Sequence, residues 1–230
     1  MFSWSQSLRA AVLAARRNFW PGLFLQALLL LFLAAYLWHE PTQKGLATVA
    51  GWKQEAGFLF AAFSFLLASA FLPELLRVLF FQKGRLTRQN WWNFLTSTPL
   101  WMGMGVLIDL FYRLQLHLFG DGSDWAVLLP KVLVDQFLFS PFIAQPIIVC
   151  YLTWRDARYA TSVWPGMLRL SFYLEKVLPL QVAAWCLWIP GVTLVYFMEP
   201  LLQIPTAVLI QAFWVLILTT LRRRDGGAPG

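Results

Sequence analysis

Residues 19 to 38 read Phe-Trp-Pro-Gly-Leu-Phe-Leu-Gln-Ala-Leu-Leu-Leu-Leu-Phe-Leu-Ala-Ala-Tyr-Leu-Trp, without a single charge. Trp20 and Trp38 bracket this run, and as a helix the interval between them covers roughly 27 Å, about the thickness of bilayer hydrocarbon. Indole rings at both ends suit the two water–lipid boundaries of one transmembrane helix. The rest of the chain has the same character. Of 230 residues, 59% are apolar and only 13% charged, and mean hydropathy is +0.61. So few charges cannot hydrate the surface of a water-soluble globule, so lipid must be part of the solvent. The 13 Trp and 20 Phe fit that environment. Disorder and a disulfide-stapled secreted module are excluded by the same composition. Cys150 and Cys186, the two cysteines, lie inside apolar runs and read as packing residues.

Five further apolar segments approach spanning length, at 56 to 81, 99 to 119, 132 to 153, 177 to 198 and 201 to 221. The expected fold is an all-α integral membrane protein, a bundle of about six transmembrane helices. Pro73 either bends the second segment or marks where it leaves the bilayer. Residues 162 to 176 mix Arg169, Glu175 and Lys176 with Trp, Leu, Phe and Tyr, which predicts an interfacial amphipathic helix. One membrane domain over 19 to 221 lies between a basic flank at 1 to 18 and a basic, then disordered, tail at 222 to 230. The flank also resembles a mitochondrial presequence in lacking acids, but a basic cytoplasmic flank that orients the first span is enough to explain it. No signal-peptidase site follows the first run. With the N-terminus inside, inner segments hold 11 Lys and Arg against 3 in outer ones, an asymmetry that orients the bundle. Topology and anionic lipid account for the net charge of +7, and nucleic acid is not expected as a partner.

An ionisable side chain in lipid costs roughly 2.5–3.5 kcal/mol at the helix centre, so each needs a partner. Asp109 and Arg113 lie one helical turn apart beside Tyr112, while Lys131, Asp135 and Gln136 open the fourth segment. If these segments form a hairpin through a loop at 120 to 130, Arg113 and Asp135 meet at similar depth. The five residues are then either ion pairs that fix helix packing or the lining of a polar path. No Gly-x-Gly-Asp, Gly-x-Ser-x-Gly or His-Glu-x-x-His motif occurs, so no enzyme, metal site or cofactor is expected. His39 and His117 fall at outer ends of spans. Gly57, Ala61, Ser64 and Ala68 form a small-residue face for close helix approach, within this chain or against a second copy. Pro141, Pro146, Pro190 and Pro205 lie in or near spans and free carbonyls that need other donors.

Lys131, Asp135, Gln136 and Pro141 form Lys-x3-Asp-Gln-x4-Pro. This run resembles the signature of the Mpv-seventeen family, the group that includes the twenty-two-kilodalton peroxisomal membrane protein. Gly105, the Phe111-Tyr112 pair, Leu187-Trp188, Pro200 and Trp214 are similar to other marks of that family, and the likeness runs over residues 50 to 221. Asp109, Val106, Val195 and Ile204 depart from it, and the first span is additional. The resemblance implies a helical protein of an organelle inner or peroxisomal membrane, some members of which form weakly selective pores for small solutes or ions. The charge asymmetry suits a bacterial plasma membrane, the expected location, with mitochondrial inner or peroxisomal membrane as the alternative.

Overall fold

The computed structural model describes the backbone of residues 4–224 and the side chains of residue 20 and residues 22–216. Side chains of the flank at 1 to 18, and the tail beyond 224, lie outside the described residues. The described chain is helical with short connections, an all-α membrane fold. Helix α1 spans Trp4–Trp38. At His39 the backbone becomes extended and Pro41 enters the first turn of α2, Glu40–Ala56, which runs at 94° to the Gly22–Trp38 part of α1. Gln43 fixes this corner by donating its amide hydrogens to the carbonyls of Tyr36 (2.9 Å) and Leu37 (3.2 Å), which α1 leaves open at its end. Sequence expectation places a loop here. The signals for helix are the proline in the first turn and the Glu40–Lys44 pair one turn apart, which closes at 2.6 Å.

Helix α3 is Phe58–Phe80, α4 is Arg88–Phe119, α5 is Trp125–Asp156 and α6 is Leu170–Phe197, each long and apolar enough to cross a membrane. The bent pair of α1 and α2 supplies a fifth crossing if counted as one span. Helix α7, Pro200–Arg224, stands where a sixth span is expected, but its described apolar stretch, Pro200–Leu216, is shorter than a span, so four or five crossings are found among the described residues where about six are expected. The segment expected at 99–119 begins eleven residues earlier because Thr87 and Asn90 form a reciprocal capping box. The loop expected at 120–130 shrinks to 120–124 because the Asp124 carboxylate caps α5 at the amides of Ala126 (2.9 Å) and Val127 (3.3 Å). The interfacial helix expected at 162–176 is not formed as one element. Single turns at Thr161–Val163 and Trp164–Met167 stop at an extended Arg169, and 170–176 already belong to α6. It is α2 that lies crosswise, over the end of the bundle.

Three helices widen by one residue per turn, and each widening ends on the residue before a proline. Leu72, Gln145 and Leu178 donate to carbonyls five positions back, those of Leu67, Ser140 and Tyr173, and are followed by Pro73, Pro146 and Pro179. In an α-helix the proline ring collides with the carbonyl four residues earlier, and a π-helical turn moves that carbonyl aside. The prolines therefore change the register of α3, α5 and α6 without ending them.

Apolar contact between α1, α3, α6 and α7 builds the core around Leu25, Ala61, Leu187, Val195 and Ile210. At the crossing of α3 and α4, Gly105 packs directly on the backbone of Ala61, so the small-residue face serves intramolecular packing. Ala61 and Ala68 are buried there and Ser64 is half-buried. Gly57 does not join them. It adopts φ +55 at the α2–α3 junction, a conformation that a side chain disfavours. Outward, Leu30, Leu31, Leu59 and Phe142 are each more than 60% exposed, which only a lipid surround makes tolerable. Cys186 is exposed and Cys150 half-buried, so only Cys150 is placed to pack. Trp92 meets Tyr159 at 6.4 Å, which brings the basic turns 81–87 and 155–160 to one end of the bundle.

Candidate functional site

The expected ion pair between Arg113 and Asp135 is absent. The five polar candidates divide between two clusters, because Arg113 and Asp135 leave their helices on different faces. In the first cluster, buried Asp109 of α4 accepts from Lys53 of α2 at 2.5 Å. Arg113 reaches the same carboxylate oxygen at 3.4 Å, with its guanidinium 4.6 Å from the centre of the Phe58 ring and half its side chain exposed. Lys53 is 2% exposed and also donates to the Gly57 carbonyl (3.0 Å). Sequence expectation makes Lys53 an outer-loop cation. The turn at Gly57 folds α2 back and carries it into the interior.

The second cluster holds Lys131, Asp135 and Gln136 of α5, each at most 5% exposed. Its anion has neutral partners. Tyr196 of α6 donates its hydroxyl to one Asp135 oxygen (2.7 Å) and Gln136 donates its amide to the other (2.8 Å). Gln115 of α4 donates to the Lys131 carbonyl (2.9 Å) and, more loosely, to the Tyr196 hydroxyl (3.4 Å), so three helices meet in one network. Tyr112 packs edge-on against Tyr196 with ring centres 5.2 Å apart. The Lys131 ammonium instead reaches the Gly120 carbonyl (2.6 Å) at the end of α4, where the helix dipole favours a cation. Gln115 and Tyr196 were not singled out by sequence. An amide inside an apolar span is costly in lipid and belongs in the interior, and that signal would have found Gln115.

Farther along α5, the carbonyls its prolines leave open are served from α6. Counting five back in π register, Pro141 leaves the Gln136 carbonyl and Pro146 leaves the Pro141 carbonyl. The Trp185 indole donates to the first (2.8 Å) and the Tyr173 hydroxyl to the second (3.2 Å). Ser140 donates to Gln181 (3.0 Å) between them. Toward the basic end, Arg155 donates to the Ser97 hydroxyl (2.8 Å) and Tyr151 to the Thr96 carbonyl (2.8 Å). A polar seam thus follows α5 from Lys131 to Arg155, about 36 Å of helix. The other motif residues stand apart from it. Trp188 and Trp214 pack half-buried on the apolar core, and Pro200 opens α7.

Comparison with known proteins agrees in kind. The chain is similar to the PXMP2/4 family protein 1 of Dictyostelium discoideum, 27% identical over 107 residues, which are 44% of this chain and 48% of the relative. The matched stretch thus spans about half the length of that relative. No family model matches the chain. No solved structure matches it. That likeness agrees with the resemblance carried by the Lys-x3-Asp-Gln-x4-Pro run, whose residues are now seen as the hub of a buried network.

Proposed function

We propose that this membrane protein is a weakly selective pore for small solutes or ions and not an enzyme. The supporting observation is the polar seam on α5. Polar groups from three helices, α4, α5 and α6, accompany it over a length comparable with a bilayer, at a cost that lipid-facing packing alone does not require. In the described arrangement its side chains are hydrogen-bonded to one another or to backbone carbonyls, so conduction requires those bonds to exchange. Reconstituted into planar bilayers, the full chain should give solute- or ion-dependent conductance, and Asp135→Asn should alter ion preference because it removes the anion of the seam. Silent bilayers, with protein shown to be inserted and folded, would reject the pore.

A second reading has its own support. Lys131, Asp135 and Gln136 are almost wholly buried and bonded to neighbouring helices, as suits a membrane protein whose polar groups fix packing and whose role is structural or assembly-related. Conductance that Asp135→Asn leaves unchanged in ion preference would assign the network to this role. Association with a second copy is part of neither reading, and cross-linking in liposomes tests it. For location, the Dictyostelium relative draws the proposal from the bacterial plasma membrane toward the peroxisomal alternative, and fractionation of tagged protein in its own cells decides between them.

A further inference from the structure

At the corner where α2 crosses the end of α1 lies a cleft of about 360 Å³, within the size range of small-ligand sites. Tyr36 and Leu37 of α1, Gln43, Leu46, Ala47 and Ala50 of α2, and Glu199 and Leu202 at the start of α7 line it. No residue of the two buried clusters does. We propose that this cleft binds an alkylammonium group carried on a short apolar body, with Glu199 as its counter-ion.

The polar groups of the cleft favour a cation. Glu199 has no hydrogen bond or ion pair to any described side chain, and no Lys, Arg or His is among the lining residues. Lys44, beside the lining Gln43, is held by Glu40. The Gln43 amide hydrogens are engaged by the Tyr36 and Leu37 carbonyls, so that side chain has only its oxygen, an acceptor, to offer. The Tyr36 ring adds a face suited to an ammonium. Apolar walls from Leu37, Leu46, Ala47, Ala50 and Leu202 leave too few oxygens for a bare calcium or magnesium ion, which takes six or more, but accommodate hydrocarbon. The end of the bundle opposite the basic turns is where such a group would arrive, either as a free amine or as the headgroup of an ethanolamine phospholipid.

The test uses the purified full chain in a maltoside detergent, with calorimetric titration of phenethylammonium, phenethyl alcohol and phenylpropionate. Phenethylammonium should bind at one saturable site, about tenfold more tightly than either analogue. Glu199→Gln should remove that preference while unfolding at the same temperature, and Ala47→Trp should block the cleft to all three. Native mass spectrometry from mixed-lipid nanodiscs separates the sources. Retention of ethanolamine phospholipid that phenethylammonium displaces identifies a headgroup site, and binding of the amine without such retention identifies a solute site. Equal affinity for amine and alcohol, no binding in either arm, or a preference untouched by Glu199→Gln would each overturn the proposal. None of these outcomes depends on conduction.

Discussion

Asp109 and Asp135 are both buried carboxylates, yet the bundle keeps them by opposite means. Asp109 has two cations, Lys53 at 2.5 Å and Arg113 at 3.4 Å. Asp135 has a phenol and an amide, and no cation within 4 Å among the described residues. Removing one member of a buried ion pair leaves a naked charge, whereas removing one of several neutral bonds leaves a network that can rearrange. The same residue type therefore predicts different costs at the two sites.

The largest effect is expected at the first. Asp109→Asn should destabilise the protein by about 3–5 kcal/mol, because Lys53 is left buried without an anion. Lys53→Met combined with Asp109→Asn should recover most of that loss in a double-mutant cycle measured by reversible unfolding in mixed micelles. Arg113→Gln should change stability little, since its side chain is half exposed and its contact is long. If Asp109→Asn costs no more than Arg113→Gln, the Lys53 contact is not the principal one.

At the second site, Asp135→Asn should cost only about 1–2 kcal/mol, since asparagine can still accept from Tyr196 and Gln136 can reverse its amide to accept from the new nitrogen. Sequence reading alone expects Arg113→Gln to rescue this variant. The observed partners predict no rescue, and additive losses in the same unfolding assay would establish it. A comparable loss, about 1–3 kcal/mol, should follow Gly105→Ala, whose methyl would collide with the Ala61 carbonyl at the crossing of α3 and α4. Ala61→Gly cannot relieve it, because the obstruction is backbone.

These differences locate what the sequence made legible. Hydropathy placed the membrane helices, since apolar length is a local property, and the cost of polarity in lipid pointed to Asp109, Arg113, Lys131, Asp135 and Gln136. Their pairing depends on helix rotation. Arg113 and Asp135 share a depth, but the π turn that begins at Asp135 resets which face of α5 meets α4, and no periodicity argument contained that turn. The burial of Lys53 escapes the sequence for a related reason. Its contact requires the corner at His39 and the left-handed Gly57, two single-residue events that window averages smooth away. In sequence the prolines read as kink sites, yet the spacing of five between Pro141 and Pro146 matches a helix that widens and continues.

That spacing carries the smallest and most specific expectation. Trp185→Phe keeps most of the ring but removes the donor to the Gln136 carbonyl, and should cost about 1 kcal/mol or somewhat more. Pro141→Ala restores a backbone N–H one π turn along, at the position that would serve this carbonyl itself. In the Pro141→Ala background, Trp185→Phe should therefore cost less than it does alone, and the difference measures how far the indole substitutes for the missing amide. Tyr173→Phe should show the weaker version of the same coupling with Pro146→Ala, since its bond to the Pro141 carbonyl is longer at 3.2 Å. Crossing the pairs supplies the control: Trp185→Phe with Pro146→Ala should be additive, because that proline opens a different carbonyl. Coupling in the crossed pairs equal to that in the matched ones would mean that the prolines act by bending α5 as a whole and that the two aromatic donors merely lie alongside.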